Sequence, residues 1–197
     1  MLRHFFSLSL IILIFISFPL ISKAESLDAD NDGLSDALEL KFKTDANNPD
    51  TDNDGYNDGL EVQNGYNPTK GEGAKLEKRI EINLKEQRLA YFLGSVEMGK
   101  FPVSSGKKST PTPKGTYEVG NKSQKAWSRA YGLWMPYWLG FKGQKFGIHE
   151  LPIWQSGYRE GASHLGTPVS HGCVRLGIGP AKTVYDFAAV GTKVKIY

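Results

Sequence analysis

The 197 residues suffice for one ordinary domain and a small appendage, but not for two large cores. The single cysteine, Cys173, excludes an internal disulfide, so its presence in an oxidising compartment needs another reason, and a free reactive thiol is the economical one. The formal charge of +3 hides a division: residues 25–66 carry twelve acids against Lys41 and Lys43, and residues 67–197 carry twenty Lys and Arg against nine acids. Such opposite balances predict two modules with different partners, the basic one suited to a polyanionic surface.

In chain order, the first element is an export signal. Arg3 precedes an apolar block from Phe5 to Ile21, and Ser22-Lys23-Ala24 closes it with small residues at the two cleavage-determining positions. Residues 1–24 are therefore expected to be removed, leaving a soluble chain with no membrane span in the periplasm or in the cell wall and extracellular space. Export also argues against nucleic acid as the partner of the basic half.

An acidic module follows, over residues 25–68. DADNDGLSDALE (28–39) and DTDNDGYNDGLE (50–61) each place Asp at loop positions one, three, five and nine, Gly at six and Glu at twelve. In a calcium loop, alternate carboxylates converge on one ion, the Gly permits a sharp turn and the last Glu binds through both oxygens. Asp28, Asp30, Asp32, Asp36 and Glu39 would serve one Ca2+, and Asp50, Asp52, Asp54, Asp58 and Glu61 a second. Leu34 and Tyr56 at position seven would add backbone carbonyls. Oxygen-only ligands favour calcium over zinc. No entering helix fits before Asp28, and Asn48-Pro49 interrupts the chain before the second loop. With TDANNPD between the loops, the segment resembles the bacterial thrombospondin type 3 repeat, which implies loops without flanking helices and a calcium-stapled spacer or adhesive module. So short a segment has almost no apolar core, and metal is expected to supply its folding free energy.

Residues 69–78 (TKGEGAKLEK) read as a linker that uncouples the two modules. Beyond it, Arg79 to Leu84 and Arg88 to Leu93 alternate in polarity around Lys85-Glu86-Gln87 and predict a hairpin. Glu97–Ser104, Gly115–Val119, Phe146–His149 and Lys193–Tyr197 are strand-like, and Lys182–Ala189 is the best helix. Many short strands with Gly and Pro punctuation make residues 79–197 a mainly β domain.

The chemistry concentrates in SHGCVRL, residues 170–176. Arg175 supplies positive charge that favours the thiolate of Cys173. Gly172 leaves the backbone open, so the amides of Gly172 and Cys173 are candidate oxyanion donors. His149, at a strand end, is a better base candidate than His171 because a separate strand can face the thiol across a cleft. His164 lies in the intervening loop and reads as incidental. The aromatic set Trp127, Tyr131, Trp134, Tyr137, Trp138 and Trp154 fits either a core or the walls of a sugar or stem-peptide site.

His149 followed by LGTPVSHGCVRL, together with STPTPKGTYEV at 109–119, resembles the L,D-transpeptidase (YkuD-type) catalytic domain. The resemblance covers residues 79–197. It implies a β-sandwich-like fold, Cys173 as nucleophile, His149 as general base and acid, and Ser170, His171 and Arg175 as substrate-positioning residues. It further implies acyl transfer between peptidoglycan stem peptides through a thioester, with release of D-alanine and no catalytic cofactor. Two departures stand out: the interval from His149 to Ser170 is longer than usual in the family, and Glu150 follows the histidine. Two other readings are a carboxypeptidase or endopeptidase of the same fold, and a non-catalytic calcium-dependent wall-binding protein.

Overall fold

The computed structural model describes residues 27–71, 73–143 and 145–197; the expected export signal lies outside them. No helix among the described residues is long and apolar enough to cross a membrane.

Helices α1 (Asp36–Phe42) and α2 (Asp58–Asn64) leave the two acidic loops and end in left-handed caps at Lys43 and Gly65. Ten strands follow: β1 (Lys78–Asn83), β2 (Arg88–Leu93), β3 (Val96–Ser104), β4 (Gly115–Glu118), β5 (Asn121–Ser128), β6 (Leu133–Phe141), β7 (Phe146–Glu150), β8 (Ile153–Trp154), β9 (Val174–Leu176) and β10 (Lys193–Ile196). Helix α3 (Pro180–Phe187) begins on Pro180, whose fixed φ suits the first helical position. The strand path runs β4-β10-β1-β2-β3-β9-β7-β6-β5, with β8 on β6.

Strand β3 pairs with β2 along most of its length and with β9 through Val103 and Ser104, so it hands the path from one sheet to the other. The sheets enclose one core. Ile80 and Ile82 of β1, and Val194 and Ile196 of β10, alternate with charged residues that stay outside, as period-two strands with one wet face require. Opposite them lie Leu139, Phe141, Ile148, Val174 and Leu176, with Val184 of α3. Lys122 of β5 donates to the Tyr185 and Ala188 carbonyls and so closes the C-terminus of α3. The mainly β, sandwich-like expectation holds.

Three expectations are corrected. The acidic loops do have exiting helices, each of seven residues. The segment near 69–78 is tied down rather than loose: Tyr66 bridges Lys75, Asn67 N–H donates to the Ala74 carbonyl, and Leu76 N–H donates to the Gly65 carbonyl. The acidic module also has an apolar core, which it borrows. Leu34, Phe42 and Val62 pack with Leu93 and Val96 of the β2–β3 hairpin, and Met98 and Phe187 touch both this cluster and the main core. Lys41 Nζ donates to the Glu97 carbonyl at 3.1 Å, adding a polar tie. Sequence reading missed this cluster because its halves lie far apart in the chain and neither carries a periodic signal.

Because this cluster is shared, Leu34→Ala should remove a 2% exposed side chain at a cost of about 2–5 kcal/mol to the whole chain. Calorimetry should show one transition, shifted down; a new early transition beside an unmoved main one would mean the modules unfold separately.

Candidate active site

Strands β7 and β9 run parallel in the register Ile148↔Val174, His149↔Arg175 and Glu150↔Leu176. Ile148 and Val174 point into the core, so alternation sends Gly147 and His149, with Cys173 and Arg175, to the other face. Cys173 and His149 therefore line one cleft of about 360 Å³, with Ser170, His171 and Arg175, whose remaining walls include Phe146, Pro152 and Trp154. A second cleft of about 310 Å³, lined by Asn121, Trp127 and Trp138, reaches the same thiol, and Tyr131, Met135, Lys145 and Cys173 border both.

His149 is 3% exposed, and its Nδ1 lies 2.5 Å from the Glu150 carbonyl. That carbonyl can only accept, so Nδ1 carries the proton and Nε2 is the basic nitrogen. The Trp138 ring stacks on the imidazole at 6.0 Å between centroids. Gly147 makes room for it: a Cβ there would come within 2.4 Å of the indole. Burial lowers the His149 pKa to about 4; the bond to Glu150 opposes this and Arg175 adds to it. Burial pushes the Cys173 thiol up, while a Gly147 backbone hydrogen bond and Arg175 pull it down. The net shift is upward, against the expectation that Arg175 would prevail. Both shifts favour the uncharged forms, so the resting pair is neutral thiol and neutral imidazole.

The SHGC turn is held from below by the 109–115 segment. Thr112 Oγ1 donates to the Gly172 carbonyl at 2.8 Å and accepts from Gly106 N–H. Thr110 Oγ1 donates to the Ser170 carbonyl at 3.1 Å, and the Lys107 amide donates to the same oxygen. The sequence showed this segment as a motif but gave it no task. Ser170 Oγ donates to the Cys173 carbonyl at 2.5 Å and accepts from the Gly172 N–H at 3.0 Å. The Gly172 amide is therefore engaged in closing the turn, which corrects its expected role as a free oxyanion donor. Gly172 is needed for its φ of 115° and because a Cβ would meet the Phe146 ring at 2.7 Å.

His171 stacks on Tyr131 at 4.6 Å on the rim, and His164 bonds Glu160 rather than facing the thiol. The aromatic set divides. Trp127, Tyr131, Trp138 and Trp154 line the clefts, Trp134 packs on Trp127, and Tyr137 packs on Tyr185 of α3.

In the acidic module, oxygens of Asp28, Asp30 and Asp32 converge within 4.8 Å, as do those of Asp50, Asp52 and Asp54. Buried oxygens of Asp28, Asp30, Glu39, Asp50, Asp52 and Glu61 lack any hydrogen-bond partner. Burial, followed by the neighbouring aspartates, raises Glu39 and Glu61 to about 7. Asp36 and Asp58 act as loop fasteners: Asp36 accepts from the Ala29 amide, and Asp58 from the Thr51 amide and hydroxyl. Asp32 Oδ2 accepts from Gly59 N–H at 2.8 Å and joins the two loops. Asp54 Oδ1 accepts from the Tyr56 amide, and the Leu34 amide donates to Asp32 Oδ1. Unpaired buried carboxylate oxygens are costly without a cation, so the donor set fits a hard divalent ion.

His149 on β7 and Cys173 directly before β9 thus place an imidazole and a thiol on one cleft of a β sandwich, an arrangement whose chemistry is that of acyl transfer. The L,D-transpeptidase catalytic domain family matches residues 77–196, and the bacterial TSP3 repeat matches residues 28–49 and 50–71. The chain belongs to the L,D-transpeptidase family, a family of peptidoglycan acyltransferases. Among its relatives, YciB of Bacillus subtilis is 34% identical over 139 residues, 66% of this chain and 72% of that protein. An L,D-transpeptidase from Mycobacterium smegmatis shares the fold at a TM-score of 0.54 and 21% identity, over 64% of this chain and 60% of its own. The LD transpeptidase LdtMt1, solved with imipenem, gives 0.55 and 20%, over 64% and 61%.

The neutral resting pair predicts that alkylation of Cys173 by iodoacetamide climbs with pH from neutral into the alkaline range; a plateau already present below neutrality would mean a preformed ion pair. Gly147→Ala should displace Trp138 from His149 and slow enzymatic acylation on the order of 10²-fold with the fold retained, as circular dichroism and mass spectrometry would check.

Proposed function

We propose that this chain is an exported L,D-transpeptidase that cross-links peptidoglycan stems through a Cys173 thioester. Two clefts meeting at one thiol carry this reading, since acyl transfer needs a donor on one side and an acceptor amine on the other. Cys173 Sγ attacks the carbonyl of the third, diamino acid residue of a tetrapeptide as His149 Nε2 takes the thiol proton. The tetrahedral intermediate collapses, the C–N bond breaks, and His149 returns the proton to the departing D-alanine amine. An amine of a second stem then attacks the thioester, giving its proton to His149, which passes it to the leaving thiolate. Buried and neutral, His149 can accept that proton at neutral pH, and the Glu150 carbonyl holds its orientation. Trp138 and the hydroxyls of Thr110 and Thr112 keep the base and the SHGC turn in place.

Purified residues 25–197 with a tetrapeptide donor and a second stem as acceptor should yield a cross-linked dimer and free D-alanine, and imipenem should add its mass to the protein. Cys173→Ala should do neither. Release of D-alanine with no dimer at any acceptor concentration would make the chain a carboxypeptidase instead.

The acidic loops are read as two structural calcium sites, with Asp28, Asp30, Asp32, Glu39 and the Leu34 carbonyl around one ion, and Asp50, Asp52, Asp54, Glu61 and the Tyr56 carbonyl around the other. Asp36 and Asp58 shape the loops from behind. Bound calcium supplies the positive charge that these buried carboxylates lack. Glu39 and Glu61 have pKa values raised on folding, from 4.5 to about 7. The metal-free fold therefore holds their protons more tightly than the unfolded chain, and stability present below 4.5 is lost as pH rises through about 7. In chelator, the melting temperature should fall over that interval, and calcium should raise it far more at pH 7 than at about pH 5. An equal effect at both values would remove Glu39 and Glu61 from the ligand set.

A further inference from the structure

One buried carboxylate beside the site has no part in the chemistry above. Glu160 lies in the loop that connects His149 to Cys173, is 7% exposed, and accepts from Arg175 Nη1 through both oxygens, at 2.8 and 3.0 Å. Its Oε1 also pairs with His164 Nδ1 at 2.9 Å, and its amide donates to the Pro152 carbonyl at 3.0 Å. Arg175 is level with His149 in the β7–β9 ladder, one residue past Val174, and its side chain is 10% exposed. A second tie runs in the opposite sense, from Arg159 of the loop to Glu150 of β7. The loop so fastened contributes Pro152 and Trp154 to the cleft wall.

We propose that Glu160 is a positioning residue for acyl transfer, which clamps this loop over the cleft through Arg175 and offsets the guanidinium charge beside Cys173. The role in catalysis rests on the transpeptidase reading; the charge offset does not. The ionisable side chains around the thiol are His149 on β7, Arg175 on β9, His171 in the turn, and Lys145 and Tyr131 on the rim. His149 is neutral, Lys145 and His171 sit at the solvent edge, and Arg175 is a permanent buried cation. With Glu160 bound, that cation acts on the thiol as half of a nearly neutral pair. Cys173 then keeps its proton until His149 removes it during attack on a bound carbonyl. Without Glu160, the lone cation favours the thiolate at rest and the loop loses its hold on β9. His164, with half of its side chain exposed, is the outer member of the cluster and helps to orient the carboxylate.

The test compares the full calcium-loaded chain with Glu160→Gln, Glu160→Asp and Arg175→Gln, after thermal melts identify the folded variants. The pH midpoint of Cys173 alkylation by iodoacetamide reads the charge offset. It should move toward acid by about one unit in Glu160→Gln. It should move toward alkali in Arg175→Gln, which leaves the carboxylate without its cation, and stay near wild type in Glu160→Asp, which keeps the charge. Imipenem acylation reads the clamp: in Glu160→Asp the half-saturating concentration should rise severalfold while the rate at saturation changes less. A midpoint unmoved in a folded Glu160→Gln or Arg175→Gln overturns the proposal. If wild-type protein is alkylated as expected but neither imipenem nor tetrapeptide acylates it, the transpeptidase reading fails and the charge offset still stands or falls on the midpoints.

Discussion

The parallel pairing of β7 with β9 is the constraint from which the rest of the site follows. Parallel neighbours cannot be joined by a tight turn, so the chain must leave the end of β7 and travel back before it can enter β9. The long interval between His149 and Cys173 is that return path. The same pairing places Ile148 beside Val174 in the core and, by alternation, His149, Cys173 and Arg175 on the opposite face. Imidazole and thiol thus arrive on a hydrogen-bonded scaffold rather than on two independent loops. The return path, having to pass the cleft, becomes one of its walls through Pro152 and Trp154.

Burial then sets the electrostatics. It acts on thiol and imidazole in opposite directions along the pKa scale but to the same end, since it disfavours the charged form of each. Arg175 is too weak an influence to reverse this for the thiol. A neutral pair has no stored charge to hold, so its effectiveness depends on geometry: Nδ1 fixed by the Glu150 carbonyl, the ring backed by Trp138, and the turn before Cys173 fixed by Ser170, Thr110 and Thr112. These contacts do not touch Cys173 Sγ or His149 Nε2, yet they restrict where those two atoms can be.

Strands with one wet face were legible in the sequence. β1 and β10 announced themselves because polar and charged residues alternate with Ile and Val, and the apolar run of β2 was placed by the turn that joins it to β1. The longest contact pair, β5 with β6, was not legible: β6 is apolar on both faces and contains Pro136, and β5 reads as a polar run with Lys122 and Lys125. The aromatic residues of these strands were visible only as an undivided cluster. Cys173 and His149 were legible because each sits in a dense local motif. Glu160 was not, since a side-chain pair fifteen residues apart across a loop leaves no periodic trace. The engaged amide of Gly172 could not be read either, because glycine in a sequence does not say whether it serves φ, space or a free N–H.

The acidic module shows how far a short segment can depend on its surroundings. It has too few apolar residues to fold around itself, and Leu34, Phe42 and Val62, with Leu38, complete their cluster by reaching Leu76 of the connecting segment and Leu93 and Val96 of the neighbouring domain. The polar side of the same segment is crowded with carboxylates whose buried oxygens have no protein donor. On the calcium reading, two external contributions therefore meet in one place, ions at one end of each loop and the β2–β3 hairpin at the other. Leu34 follows Gly33 directly in the first loop, and the Asp32–Gly59 hydrogen bond carries the geometry of that loop into the second helix. A Cβ on Gly59 would strike the Asp32 carbonyl at 2.4 Å, so the two loops are packed backbone to backbone as well as hydrogen-bonded. Loss of an ion from either loop would disturb both, and through Leu34 and Val62 the disturbance would reach Met98 and Phe187, which also pack against the catalytic core. On the calcium reading, the segment is a part of the catalytic domain's structure whose folding is conditional on metal.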